Sequence, residues 1–296
     1  MILEYIVNEN DNYINLKDLL KNYFQISDRL LIKLKHAQKL FINSTKASVD
    51  MSLNVGDVIS VHIDFAEDNS NIVPTKMSLD IVYEDQSFLI LNKSAGVPVH
   101  PSMDHFEDSL SNGVRYYFDE IGLQKKIRPV NRLDKDTSGL VVFAKNEYIQ
   151  ECLVKQMKIN QFVKEYVAIC EGFFTENKGT INAPIARKEN SIIERCISEN
   201  GDNAITHYEV IKILDNYSIV RCILETGRTH QIRVHMAHIG HPLLGDTLYG
   251  TSSPLISRQA LHAYKISFVH PVTREKLELT AEIPVDFDFY VKKRGS

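Results

Sequence analysis

Asp134 stands between Arg132 and Lys135 in the run RPVNRLDKDTSGLVVFAKN, directly ahead of a Thr-Ser-Gly turn and an apolar strand. Cationic neighbours favour the ionised carboxylate, the form that acts as a nucleophile. An Asp in a turn before a strand is more often a local hydrogen-bond acceptor, and on this segment alone that reading has the better odds. Asp136 shares a face with Asp134 on an extended chain, which raises a paired-carboxylate glycosidase as a rival. Two carboxylates so close in sequence cannot flank a sugar from both sides.

A second polar concentration, LETGRTHQIRVHMAHIGHPLLGDTLYG, holds His230, His235, His238 and His241. The histidines lack the zincin pair with an intervening Glu, and no acid lies among them before Asp246, so hydrogen-bonded helix histidines are expected and no metal. Cys152, Cys170, Cys196 and Cys222 are too far apart for a chelating or redox pair and read as reduced thiols. No GxGxxG follows a strand and no GxxxxGK(S/T) is present, so dinucleotide and P-loop chemistry have no support.

The elements that must position these residues are mostly strands. Strand-like runs fall at 88–91, 139–144, 166–170, 219–224, 264–269 and 277–282, with helical patterns chiefly at 147–159 and 229–239. Strands do not alternate regularly with helices, which predicts an α+β fold with a mixed, largely antiparallel sheet. Nearer the start, Ser27 can cap a helix whose apolar positions are Leu30, Leu31, Leu34, Ala37 and Phe41, with Arg29, Lys33 and His36 on the other stripe. Short strands at 40–42 and 58–63 follow. DFAEDNSNIVPTKMSLD then loses all periodicity and reads as a linker. The predicted organisation is a small α/β module at 1–64, a linker at 65–80 and a larger domain at 81–296.

Formal net charge is −4, but residues 13–50 carry seven basic against three acidic side chains, a local +4 that leaves −8 for the remainder. Either an RNA-touching module or a solvated helix face produces such asymmetry. No basic leader precedes an apolar run and no stretch reaches the length of a membrane span, so a soluble cytoplasmic protein is expected.

Five ordered blocks together resemble the RluA-type family of RNA pseudouridine synthases: IVYEDQSFLILNKSAGVPVHP, RLDKDTSG, KEYVAICEG, TGRTHQIRVHM with GHPLLGD, and QALHAYKISFVHP. The resemblance implies isomerisation of uridine to pseudouridine in ribosomal or transfer RNA, with no cofactor, by a monomer. It places the catalytic aspartate at Asp134, the tyrosine that stacks on uracil at Tyr166 and the arginine that pairs with the aspartate at Arg233. Leu261 becomes a pocket wall, and Lys93, Arg132, Arg228 and His230 are assigned to the substrate. Read without it, Tyr166 would be a core strand tyrosine and Leu261 plain core. The reaction breaks a glycosidic bond, turns the base over and rejoins it through carbon, and an ionised Asp held by a guanidinium suits it.

Residues 1–64 resemble the RNA-binding module first described in ribosomal protein S-four, which implies RNA contacts from Arg29, Lys33, Lys35 and Lys39. The family's usual Val-Asn-Gly turn is replaced by Ile42-Asn43-Ser44-Thr45. Asn131 stands where the family usually has His, and Ser94 where Pro is common.

Overall fold

A computed structural model describes residues 1–287 of the chain, so the end of the predicted 81–296 domain lies outside the described residues. The first 63 residues form a four-stranded antiparallel sheet ordered β1-β4-β2-β3, from β1 (Ile2–Ile6), β2 (Leu40–Ile42), β3 (Thr45–Lys46) and β4 (Val58–His62). Helices α1 (Leu16–Asn22) and α2 (Asp28–His36) accompany it. Ser27 caps α2 as expected, its hydroxyl accepting from the Leu30 amide at 3.2 Å, and Leu30, Leu31 and Leu34 are buried. The helix stops at His36 rather than running to Phe41. Gln38 turns left-handed at φ 53°, and Phe41 belongs to β2.

The missing turn glycine has a physical substitute. Asn43 and Ser44 link β2 to β3 with φ of 50° and 64°, the geometry a two-residue primed hairpin demands. The Asn43 side chain anchors the turn by accepting from the Val58 amide at 2.9 Å and donating to Asp57 at 2.8 Å.

Between His62 and Ile81 no helix or strand forms, yet this segment is not a free spacer. Asn69 is buried and bonds the backbone of Lys125 and Ile127, Glu67 grips Arg128 at 2.5 and 2.7 Å, and Asn112 donates to the Val73 carbonyl at 2.8 Å. The segment is a strap fastened along the larger body.

That body is one mixed sheet built from β5 (Ile81–Glu84), β6 (Phe88–Lys93), β7 (Ser138–Ala144), β8 (Val163–Glu171), β9 (Lys178–Asn182), β12 (Ile205–Leu214), β13 (Tyr217–Leu224), β14 (Leu261–Val269) and β15 (Lys276–Thr280). A separate hairpin joins β10 (Ile185–Arg187) to β11 (Arg195–Ile197). The order is β5-β6-β7-β14-β8-β13-β12-β9, with β15 beside β14, and every pairing is antiparallel except β7 with β14. This is the α+β architecture expected from the sequence.

Both faces of the sheet are covered, which is why β7 reads as a continuous apolar run. Leu140, Val142 and Ala144 face α4 (Glu147–Lys158) and join a core continuous with that of residues 1–63. Val141, Phe143, Tyr166, Ala168 and Cys170 point the other way, toward Val114 and Phe118 of α3 (Leu110–Glu120) and Ile232 and Met236 of α5 (Gln231–His238). The cleft is walled by Tyr166, Leu224 and Leu261 from this second face and by Met157 and Phe162 from the first, and β7 and β14 run side by side. Gly139 permits that approach: its φ is 113°, and a Cβ there would lie 2.3 Å from the Ala263 carbonyl oxygen.

Candidate active site

The loop carrying Asp134 is pinned through its backbone. The Asp134 carbonyl accepts from the Thr137 amide at 3.1 Å, the Lys135 carbonyl from Lys93 Nζ at 2.8 Å and the Gly96 amide at 3.0 Å, and the Asp136 carbonyl from Arg258 at 3.1 Å. Leu133 is buried below, so Asp134 is presented by a rigid support while its own side chain stays 22% exposed.

Helix α5 brings the counter-charge from 99 residues away. Arg233 donates through Nε and one Nη to the two oxygens of Asp246, at 2.7 and 2.8 Å, and its remaining Nη lies 3.4 Å from Asp134 Oδ2. Asp246 is fully buried and also accepts from the amides of Leu248 and Tyr249 at 3.1 and 3.3 Å. Burial alone would lower the Arg233 pKa, but the bonds and charge of Asp246, with Asp134 behind them, raise it. The guanidinium is thus a fixed fork with one edge left for the cleft.

His230 precedes α5 in a left-handed conformation, φ 58°. Its Nδ1 lies 2.8 Å from the Tyr249 hydroxyl, which accepts from the Arg195 amide at 2.8 Å. A neutral His230 therefore accepts the Tyr249 proton at Nδ1 and turns Nε2–H toward Asp134, 3.9 Å away. Burial lowers the His230 pKa against the pull of Asp134, which favours that neutral form.

Tyr166 lies opposite Cys222 in the β8–β13 register, and Leu261 pairs with Ala168 on the neighbouring strand, so both reach the same face. Tyr166 is buried, and desolvation followed by the charge of Asp134 raises its phenol pKa, keeping it protonated. Asp134, Tyr166, Arg233, Arg132, Arg228, His230 and Leu261 all line one cleft of about 690 Å³. Asn131 also lines it, its amide group bonding the Leu140 carbonyl at 3.0 Å and the Val142 amide at 2.9 Å.

Lys93 is not brought to the cleft wall. It is 1% exposed, and its Nζ donates to the carbonyls of Ser94, Val97 and Lys135 at 2.9, 2.7 and 2.8 Å. Burial pushes its pKa down to about 7, with Asp136 opposing. The four basic residues of the N-terminal helix region also divide. Arg29 and Lys35 are exposed, whereas Lys33 pairs with Glu147 at 2.5 Å and Lys39 with Asp64, both ammonium groups lying over the Phe65 ring.

His235 is buried, bonded to Thr206 at 2.9 Å and to the Ala183 carbonyl at 3.0 Å, as hydrogen-bonded helix histidines should be. Among the described residues no group of three or more His, Cys, Asp or Glu could hold a metal ion. Asp246 and Tyr249 escaped sequence reasoning. The signal available was an Asp and a Tyr in the same polar block as Arg233, with nothing in their spacing to mark them.

The model of the RNA pseudouridylate synthase family matches residues 87–238. The chain is also 39% identical over 286 residues to the uncharacterized RNA pseudouridine synthase YhcT of Bacillus subtilis, covering 96% of this chain and 94% of the relative. The chain belongs to the RNA pseudouridine synthases. Within that family it is 38% identical to the ribosomal large subunit pseudouridine synthase D of Pasteurella multocida, over 78% of this chain and 75% of the relative. Among solved structures it resembles human RNA pseudouridylate synthase domain containing 1, with 29% identity, a TM-score of 0.58, and coverage of 70% of this chain and 84% of that one. As an RNA pseudouridine synthase of the RluA type it isomerises uridine in RNA. Among the described residues no helix is long and apolar enough to cross a membrane.

Proposed function

We propose that this pseudouridine synthase modifies specific uridines of structured ribosomal or transfer RNA, with Asp134 as its catalytic carboxylate, working as a monomer in the cytoplasm. The carrying observation is the Arg233 fork, bound bidentately to buried Asp246 and offering one edge to Asp134 in the cleft that Tyr166 also lines. The relative named as a ribosomal large subunit enzyme favours ribosomal RNA over transfer RNA.

In this reading the target uridine is flipped into the cleft and stacks at Tyr166 against Leu261. Asp134 assists cleavage of the N1–C1′ bond, the base turns, C5 bonds to C1′, and the C5 proton is then lost. Tyr166 begins as a neutral phenol. A phenol that holds its own proton takes the C5 proton only as it passes that proton on, and the Asp134 carboxylate, set free when C5 bonds to C1′, is the acceptor. His230, through Nε2, orients the carboxylate or the substrate, and Arg132 and Arg228 contact the RNA backbone. Lys93 serves as a support of the Asp134 loop rather than a direct contact. Residues 1–64 form the S-four-like RNA-binding module, residues 65–80 its strap and residues 81–296 the catalytic domain. Arg29 and Lys35 supply the phosphate contacts of the module.

Asp134→Asn should abolish pseudouridine formation in purified enzyme acting on RNA from cells lacking the gene, with folding and RNA binding retained. Turnover by that variant would sink the assignment. Transcriptome-wide pseudouridine mapping with and without the gene tests the RNA class: loss confined to messenger RNA would overturn it.

A further inference from the structure

Lys164 lies two residues before Tyr166 on β8, so the two side chains project from the same face about 7 Å apart. Both line the cleft. The Lys164 ammonium reaches over the turn between β13 and α5, where a Cβ at Gly227 would approach Nζ to 3.4 Å. The residue is half-buried, and among the described residues it has no carboxylate, carbonyl or hydroxyl partner. Arg233 and Arg228, by contrast, each have an acid within 3.5 Å.

A desolvated cation without a counter-charge is costly unless a ligand supplies one. Burial is the one cause acting on its pKa, and it acts downward. The separation from Tyr166 is on the scale between a nucleobase and its backbone phosphate.

We propose that Lys164 is a substrate-positioning residue, its ammonium holding a backbone phosphate at or next to the target uridine while the base stacks at Tyr166. The inference rests on the active-site assignment made above. Lys164 then supplies the positive charge that the Arg233 fork, held between two carboxylates, cannot offer to RNA.

The test uses full-length Lys164→Met and Lys164→Arg enzymes on total RNA from cells lacking the gene, with initial rates of pseudouridine formation followed against salt. Lys164→Met should lower kcat/KM about tenfold, through KM with kcat nearly unchanged, as loss of one charge-assisted contact predicts. The slope of log kcat/KM against log salt should become shallower by about 0.7, the release expected from one phosphate on single-stranded RNA. Lys164→Arg should restore both. The melting temperature of Lys164→Met should be unchanged or higher, since no protein partner is lost.

An unchanged salt slope, a fall in kcat with KM constant, a failure of Lys164→Arg to rescue, or a melting temperature lowered by several degrees would each overturn the proposal. Asp134→Asn run in parallel separates the two readings. An active Asp134→Asn enzyme refutes the site assignment, whereas an inactive one beside an unchanged Lys164→Met slope refutes only the phosphate anchor.

Discussion

Replacing Asp246 by Asn tests the fork directly. Asp246 is fully buried, and its two oxygens take four donors: Arg233 Nε and Nη and the amides of Leu248 and Tyr249. Asn keeps one acceptor oxygen. Placed where three donors converge, that oxygen leaves its NH₂ facing Arg233 Nε–H, donor against donor, and the negative charge is gone. Breaking a buried ion pair from one side costs about 3–5 kcal/mol, and the retained bonds place Asp246→Asn near the lower end. Asp134, 3.4 Å from the free edge, becomes the one carboxylate left to the guanidinium. Arg233 should swing to it and close a tighter pair, and one added charge-assisted bond of about 1.5–3 kcal/mol must then be broken before Asp134 reacts. The expected result is a kcat lowered about ten- to a hundredfold, at a temperature where the variant is fully folded, with KM changed less. Arg233→Lys should behave similarly, because an ammonium cannot span two carboxylates as a fork. Wild-type kcat in folded Asp246→Asn enzyme would refute the idea that Asp246 holds Arg233 away from a closed pair.

Gly139→Ala should destabilise the fold by about 3 kcal/mol or more, because its Cβ would sit 2.3 Å from the Ala263 carbonyl at a φ of 113°; a melting temperature within two degrees of wild type would contradict this. Burial lowers His262 to about 4 and also lowers His100, His230 and His235, so the unfolded chain binds more protons and stability falls as pH drops from about 6.5 toward 4. The His262 part is about 3 kcal/mol, and His262→Asn, which keeps an acceptor for Ser138, should flatten the acid loss of melting temperature. Reversing Arg29 and Lys35 to Glu should weaken RNA binding and flatten its salt dependence, whereas reversing Lys33 should chiefly lower stability through Glu147. Equal effects on binding would undo the division between these positions.

Much of the fold was legible because apolar periodicity survives in strands buried on one or both faces. The runs at 88–91, 139–144, 166–170 and 219–224 each lie inside an observed strand. Helix α3 was not legible: Ser111, Asn112 and Gly113 are poor helix formers, and a Ser109–Asn112 capping box with tertiary burial overrides them. The parallel pairing of β7 with β14 joins residues 124 apart, and no local pattern encodes it. At the site, Asp134, Tyr166 and Arg233 emerged from motif order. Lys93 could not be placed the same way, because a Lys that satisfies three carbonyls behind a loop and a Lys that faces a ligand look alike in sequence.

Net charge misleads here for a related reason. A total of −4 argues mildly against nucleic acid, but the polyanion meets a cleft, not a sum. Five Lys and Arg line that cleft against two carboxylates, Asp134 and Glu225. Glu225 is bonded to His207 at 2.6 Å, and Asp134 faces Arg233. Arg132, Lys158 and Lys164 remain without an acidic partner among the described residues. The cleft therefore keeps three cations open to a polyanion, and an RNA strand drawn to them is brought to the cleft that holds Asp134.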